Sequence, residues 1–157
     1  MTAHAPTTAR TPGPTSNSVA LAAMWGGLAL TIAITVYAFV DDATTRLLAG
    51  HIQTSYPAYR TDEIHTAVAL YLGILAAVGA VGVVTWIAVI WATARGSRWA
   101  PWVATMALIA AVCVALTGLT VRDTSGDVGL VPVLAWLQVL PCTLGLVAAV
   151  QLWRQRR

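Results

Sequence analysis

The stretch Thr66–Ala94 reads TAVALYLGILAAVGAVGVVTWIAVIWATA and contains no charged side chain. A helix of this length would extend for about 43 Å, which exceeds the ~30 Å thickness of the bilayer hydrocarbon. Acidic residues precede the stretch, and Arg95 and Arg98 follow it, so charged groups stand at both ends and none stands between them. The stretch therefore predicts a helix that crosses a membrane.

Three further apolar runs of about twenty residues accompany this one, at Val19–Val40, Trp99–Val121 and about 131–153. The chain is 58% hydrophobic and 10% charged, whereas soluble domains carry about a quarter charged residues. We therefore predict an all-α protein, a four-transmembrane-helix bundle over residues 19–157. We expect a multi-pass protein of the cell membrane, with the lipid bilayer as its first partner.

The first 18 residues differ from the rest because they are rich in Thr, Pro, Ser and Ala and have no apolar periodicity. Such a segment cannot bury enough apolar surface to offset the entropy of ordering, so we predict a disordered cytoplasmic tail over residues 1–18. The run that follows is too long for the apolar region of a signal peptide, and no small-residue cleavage site follows it before Asp41. We therefore expect the first helix to be retained.

The charges are distributed unequally between the two ends of the predicted helices. Six of the nine arginines lie in the tail, in the loop Arg95–Arg98 or at the C-terminal end, and no acid accompanies them. The six acids follow the first or the third helix, at Asp41, Asp42, Asp62, Glu63, Asp123 and Asp127. The positive-inside rule then predicts that both termini lie in the cytoplasm.

The loop over residues 41–63 is the only sizeable region predicted outside the membrane. Asp41 or Asp42 can cap a short helix over residues 43–52, because an acidic side chain accepts hydrogen bonds from the free N–H groups at a helix N-terminus. The apolar side of that helix consists of Leu47, Leu48 and Ile52. We predict that it lies along the membrane surface or covers the mouth of the bundle.

Small residues recur at intervals of about four along the predicted helices, and such stripes let two helix backbones approach closely. They are Ala23, Gly27, Thr31 and Thr35 in the first helix; Ala69, Gly73 and Ala77 in the second; Ala107, Ala111 and Ala115 in the third; and Gly145 and Ala149 in the fourth. The stripes indicate either packing within one bundle or an interface with a second copy or another membrane protein. Packing within the bundle is favoured because four helices need such faces internally.

Side chains suited to chemistry are few and gather toward the outer face. His51, Glu63 and His65, with Gln138 inside the fourth span, would form a polar outer mouth. No two of the outer His and acidic residues have a recognisable metal-ligand spacing, and no ionisable residue or haem ligand lies well inside a span. We therefore expect no enzymatic activity, no metal and no cofactor.

The two cysteines, Cys113 and Cys142, lie deep inside the third and fourth spans without a CxxC motif. Each belongs to a stripe of small or weakly polar residues at helical spacing. Counted from the outer ends of their helices, the two lie at similar depths of about 12 and 15 Å. We predict that the stripes pack together and that the cysteines face each other as free thiols.

The segment Arg95-Gly96-Ser97-Arg98-Trp99-Ala100, with Leu140-Pro141-Cys142 and the ending Leu152-Trp153-Arg154, resembles small four-helix membrane proteins of actinobacteria. The resemblance covers the last three helices. It implies the architecture and the compartment of those proteins, and it implies no activity.

Two functions fit these observations. The first is a small accessory or interaction component of the cell membrane that contacts another membrane protein, or a second copy, through its small-residue helix faces. The alternative is a small-molecule binding or transport component with an outward-facing polar mouth. The net charge of +3 does not indicate a nucleic-acid partner, because most of the arginines flank membrane spans.

Overall fold

The computed structural model describes residues 14–122, 128 and 130–156, with side chains from residue 18 onward. Within these residues the chain forms helices and no strand; Arg122 and Val128 make one isolated bridge. The helices are α1 (Pro14–Ala43), α2 (Leu47–Ser55), α3 (Thr61–Ala94), α4 (Ala100–Thr120), α5 (Pro132–Leu137) and α6 (Val139–Arg154). The all-α prediction is confirmed.

Four helical stretches are long and apolar enough to cross a membrane: Ser18–Ala43, Thr61–Ala94, Ala100–Thr120 and Pro132–Arg154. The last of these combines α5 and α6. An even number of crossings places the start of α1 and the end of α6 on the same side, and the cytoplasmic assignment of that side stays a prediction from the arginine distribution. The structure thus has the four-helix membrane architecture predicted from the apolar runs.

The helix boundaries differ from the predicted ones at the two ends of α1 and at the start of α3, which begins at Thr61 rather than Thr66. This helix includes residues 14–18, which the sequence placed in the tail; residues 1–13 lie outside the described part of the chain. It also continues through Asp41 and Asp42 to Ala43, so the outer connection is shorter than the predicted loop 41–63. Helical segments often continue past the apolar run because the backbone hydrogen bonds do not depend on side-chain polarity.

The helices pack in the order α3, α1, α6, α4 around the bundle. α1 contacts α3 and α6 extensively, and α6 contacts α4. α3 and α4 follow each other in sequence but contact each other much less. One buried apolar cluster, which includes Leu48 and Leu134, lies at the outer end, and another, which includes Met24 and Ala148, lies at the inner end.

The small-residue stripe of α1 is an internal packing face. A Cβ atom on Gly27 would overlap the indole ring of Trp86, and Thr31 accepts a hydrogen bond from Trp86 Nε1 at 3.1 Å. Thr35 packs against Gly79 so closely that a Cβ there would lie 2.8 Å from Thr35 Cγ2. Packing within the bundle is therefore confirmed for this stripe.

The predicted small-residue stripe of α3 does not pack against α1. Ala69, Gly73 and Ala77 are exposed, and a Cβ on Gly73 would meet no atom within 4 Å. The glycines of α3 that approach α1 are instead Gly79 and Gly82. The sequence does not distinguish a small-residue stripe that faces protein from one that faces lipid, because small residues are apolar enough for both.

The predicted pairing of the cysteine stripes is wrong. Cys113 is exposed, as are Met106 and Thr117 of the same stripe, whereas Cys142 is buried. The side of α4 that packs inward includes Ala104 and Ala115 instead. Both cysteines are free thiols. Apolar residues surround α4 on all sides, so its hydrophobic pattern could not define which side faces α6.

The fourth span is interrupted at Gln138, where α5 ends and α6 begins. Pro141 explains the break, because proline has no N–H to donate and its ring clashes with the carbonyl four residues earlier, that of Leu137. Cys142 Sγ contacts the Gln138 carbonyl oxygen at 3.6 Å. The break leaves the Gln138 side chain near Gly118 of α4, where a Cβ would lie 3.8 Å from its Oε1 atom.

The short outer helix exists, but it spans Leu47–Ser55 rather than residues 43–52. Asp41 is its capping residue: its carboxylate oxygens accept from the backbone N–H groups of Leu47 and Leu48, both at 3.2 Å, and from the Thr45 hydroxyl. Two of the three predicted apolar residues, Leu48 and Ile52, are buried in the outer cluster, while Leu47 is 44% exposed. The helix α2 therefore covers the outer end of the bundle.

The turn between α3 and α4 is tight and well defined. Gly96 has a positive φ of 62°, a conformation in which glycine has no Cβ penalty. Its N–H donates to the Thr93 carbonyl at 3.0 Å and the Ser97 N–H donates to the Ala92 carbonyl at 3.0 Å. This pair of bonds is the Schellman arrangement that ends helices. It ends α3 next to Arg95 and Arg98, which the sequence predicts to lie on the cytoplasmic side.

Candidate functional site: a groove inside the bundle

A groove of about 410 Å³ lies in the middle of the bundle, between the outer and the inner buried clusters. Its volume falls within the ~300–1,000 Å³ typical of small-molecule sites. Every membrane-spanning segment contributes to its lining. Representative lining residues are Thr31 from α1, Val81 and Trp86 from α3, Ala111 from α4, Gln138 from the α5–α6 break and Cys142 from α6.

The groove opens sideways, between α3 and α4. The lining residues contributed by α1, α5 and α6 are buried or half-buried, so these helices form the floor. Exposed lining residues come only from α3 and α4, and they include Val81, which is 67% exposed, and Ala110 and Ala111. Because α3 and α4 touch each other little, the gap between them faces the lipid.

The outer end of the groove is closed by apolar side chains. Ala38, Leu75 and Leu134 line the groove and also belong to the outer buried cluster, which contains Leu48 and Ile52 of α2. A hydrogen bond of 2.9 Å between His51 Nε2 and the Val128 carbonyl ties α2 to the connection between α4 and α5. Access from the outer aqueous side is therefore blocked by α2.

The polar groups of the groove are few and mostly satisfied. Thr31 donates to the Gly27 carbonyl at 2.8 Å and accepts from Trp86, while Thr35 donates to the Thr31 carbonyl at 2.9 Å. Thr85 donates to the Val81 carbonyl at 2.7 Å. No charged side chain lines the groove among the described residues. A ligand with a full charge inside it would lose its hydration without gaining a partner.

Gln138 is the exception among these polar groups. Its half-buried side-chain amide lines the groove and makes no hydrogen bond within the described part of the chain. An amide carries both donor and acceptor groups. The groove thus offers one neutral hydrogen-bonding position, near its outer half, in an otherwise apolar surface.

The four residues of the predicted outer mouth are not brought together. His51 lies in a separate small cavity of about 140 Å³ with Tyr56, Tyr59 and Tyr71, between α2 and α3. Glu63 accepts from the Arg60 N–H at 2.7 Å and thereby caps α3, and His65 is exposed and lines neither cavity. Only Gln138 belongs to the groove.

Metal ligands do not cluster in the described residues, where no group of three or more His, Cys, Asp or Glu side chains could hold an ion. Cys142 is the single thiol that lines the groove, and Cys113 lies outside it. The groove can therefore hold an apolar molecule, but its residues supply no acid, base or metal-activated nucleophile.

Trp86 is the groove residue that sequence reasoning passed over. Its ring fills the space above Gly27 and lies 3.8 Å from where a Cβ of Gly145 would be, so it connects α3 to α1 and α6. A signal for it exists in the sequence. An indole N–H in the middle of an apolar span needs a hydrogen-bond acceptor, and the threonine hydroxyls of the first helix could accept that bond.

Comparisons of the chain with protein-family models, with curated proteins and with solved structures each found no match. The four-helix membrane architecture implied by the resemblance is present, and no relative connects the chain to actinobacteria.

Proposed function

We propose that this protein is a small integral component of the cell membrane that binds one apolar chain of a lipid molecule in the groove between α3 and α4. It acts by binding, without catalysis and without a cofactor. Of the two functions inferred from the sequence, the binding or transport component is the one that this proposal resembles more closely. The difference is the entrance, which lies at the side of the bundle instead of in an outward-facing polar mouth.

The observation that carries this proposal is the sideways opening. A site for a water-soluble molecule needs an aqueous entrance, and the outer end of this groove is covered by Leu48 and Ile52. A lipid chain instead arrives from the hydrocarbon itself through the gap between α3 and α4. The lining of alanine, glycine, valine and leucine side chains matches that chain in polarity, and Gln138 adds one neutral hydrogen-bonding group near the outer end of the groove.

A second function is favoured by a different surface. Ala69, Gly73 and Ala77 form an exposed small-residue stripe on α3, against which the backbone of another membrane helix can pack closely. This stripe supports the accessory role, in which the protein contacts another membrane protein or a second copy. The stripe reaches the opening of the groove, because Ala77 also lines it, so a partner helix on this stripe would lie beside the entrance.

Replacement of Ala111 by Phe tests the groove, because the larger ring projects from α4 into the gap. The protein is reconstituted in phosphatidylcholine vesicles and extracted in mild detergent, and the mass of the protein with its bound lipid is measured by native mass spectrometry. The unchanged protein should retain one lipid molecule per chain. The Ala111→Phe protein should retain it about tenfold less often, which corresponds to ~1.4 kcal/mol of lost affinity.

Ala80→Phe is the matched control, since Ala80 is exposed on α3 and does not line the groove. It makes the same change of side chain on a lipid-facing surface and should leave lipid retention unchanged. Equal retention in both variants, or no retained lipid in the unchanged protein, would contradict the proposal. The same spectra give the mass of any dimer and so test the second function.

A further inference from the structure

We propose that the lipid in the groove is an anionic phospholipid of the cytoplasmic leaflet, whose phosphate binds Arg95 and Arg98 while one acyl chain enters between α3 and α4. This inference rests on the proposed function, because it names the class of lipid that the same groove binds. It concerns a different part of the molecule, however: the turn that joins the two helices at the cytoplasmic end of the opening.

Chain connectivity places the two arginines at that end. The opening lies between α3 and α4, and Arg95 and Arg98 belong to the turn that joins these two helices on the arginine-rich side. A molecule that lies in the gap with its polar end toward the cytoplasm must pass this turn. The arginines are therefore the first charged groups that its headgroup meets.

Both guanidinium groups are available to a phosphate. Arg95 and Arg98 are exposed, and the one ion pair among the described residues is formed by Arg60 and Asp62 on the opposite side. Four of the six acids lie in the last turn of α1 or the first turn of α3, and the other two, Asp123 and Asp127, follow α4 in the sequence, so no acidic side chain competes on the cytoplasmic side. Unpaired guanidinium groups are suited to phosphate because they can donate two parallel hydrogen bonds.

Tryptophan rings hold these arginines at the membrane interface. The Arg95 guanidinium carbon lies 3.6 Å from the centroid of the Trp91 ring, and that of Arg98 lies 5.6 Å from the centroid of Trp99. Both rings are more than half exposed. Tryptophan prefers the headgroup level of a bilayer, and a cation over its face is attracted by the ring. The charges are therefore fixed at the depth where lipid phosphates lie.

The distance between the groove and the arginines suits one lipid molecule. Val89, the lining residue of α3 nearest the turn, is buried in the inner cluster, and the nearest exposed lining residue of α3 is Val81. The helical rise from Val81 to Arg95 is about 21 Å, and that from Ala111, across the opening, to Arg98 is about 20 Å.

An acyl chain that starts at the interface is long enough to reach this opening. The polar zone of a bilayer is about 5–8 Å thick on each side, and one leaflet contributes roughly half of the ~30 Å of hydrocarbon, about 15 Å per chain. With its phosphate at Arg95, a lipid therefore places the end of its chain at the opening near Val81 and Ala111. A free phosphate ion would use the arginines alone and leave the groove unoccupied, which distinguishes the two ligands by experiment.

The test uses vesicles of phosphatidylcholine that contain a minority of phosphatidylglycerol, followed by extraction and native mass spectrometry. The lipid retained by the unchanged protein should be enriched in phosphatidylglycerol about tenfold over the vesicle composition, since each arginine near the surface adds appreciable attraction for an anionic headgroup. The double variant Arg95→Gln, Arg98→Gln should lose this enrichment and still retain one lipid per chain.

Arg154→Gln with Arg156→Gln is the matched control, because it removes the same charge from the same side but from the end of α6. It should keep the enrichment. Equal loss in both double variants would show general surface attraction and would overturn the inference, as would enrichment that persists in the Ala111→Phe protein. Release of the lipid by inorganic phosphate at low millimolar concentration would also contradict it. If the unchanged protein retained no lipid at all, the proposed function itself would be refuted.

Discussion

Gly27→Ala is expected to lower the free energy of unfolding by about 2 kcal/mol, the usual scale for overfilling a packed interior. The added methyl would overlap the Trp86 ring, with the Cε2 atom only 2.7 Å away. The ring cannot move aside easily, because its Nε1 atom is hydrogen-bonded to Thr31 and its far edge lies near Gly145. Unfolding by SDS in mixed detergent micelles, followed by tryptophan fluorescence, measures the change.

Gly73→Ala is the control for this prediction. Gly73 lies in α3 with no atom near its would-be Cβ, so alanine there should be neutral or stabilising by up to ~1 kcal/mol through helix propensity. Adding Trp86→Leu to Gly27→Ala should restore part of the lost stability, because the smaller side chain leaves room for the methyl. If Gly27→Ala and Gly73→Ala have equal effects, the close approach of α1 and α3 is not as described.

Asp41→Ala is expected to lower the free energy of unfolding by about 2–3 kcal/mol. The carboxylate is 1% exposed and accepts two backbone N–H groups and a hydroxyl. Its loss removes the cap of α2, worth about 0.5–2 kcal/mol, and leaves the buried Leu48 N–H without a partner at a further cost of about 1–3 kcal/mol. The sum is partly offset by relaxation of the loop.

Asp42→Ala is the natural comparison, since Asp42 is the adjacent acid and is exposed. Its replacement should change stability by less than about 0.5 kcal/mol. Hydrogen exchange provides the local measurement: the amides of Leu47 and Leu48 should exchange faster in Asp41→Ala and at an unchanged rate in Asp42→Ala. Unchanged exchange in both variants would mean that Asp41 does not hold α2 in place.

Much of the architecture could be predicted from the sequence because membrane spans obey a simple length rule. The apolar runs located all four crossings, while the direction of the crossings stays a prediction from the arginine bias. The short outer helix followed from its apolar spacing, and the proposed capping by an acid at position 41 or 42 is realised by Asp41. These features depend on local sequence and on burial from water, which composition reports directly.

Rotation of the helices could not be predicted, and the failure has a physical cause. In water a helix buries its apolar side, so periodicity reveals its orientation; in lipid every side of α4 is apolar, and the pattern carries no such information. Cys113 was therefore assigned to an interface that it does not join. The gap between α3 and α4 results from the packing of three other helix pairs, α1 with α3, α1 with α6 and α4 with α6. No single stretch of sequence therefore encodes it.

The predicted polar mouth illustrates the same limit. His51, Glu63 and His65 all lie toward the outer end of the bundle, but they do not form one site. His51 contacts the Val128 carbonyl, Glu63 caps the N-terminus of α3 and His65 is exposed. Gln138 was singled out as the most polar side chain inside a span, and it does line the groove. Pro141, three residues later, disfavours a continuous helix there, but a proline does not specify the direction of the bend.

The central claim is that the groove opens to lipid and is closed to water, and collisional relaxation of a nitroxide at position 111 tests it most directly. The label is attached to Ala111→Cys in a protein with Cys113→Ala and Cys142→Ala, reconstituted in vesicles. Labels at Ala80→Cys and Gln53→Cys provide lipid-exposed and water-exposed references, since both residues are exposed, on α3 and on α2. Oxygen should relax the label at 111 as strongly as at 80, and a water-soluble nickel chelate should barely affect it. Nickel accessibility close to that at position 53 would mean an aqueous entrance and would contradict the account.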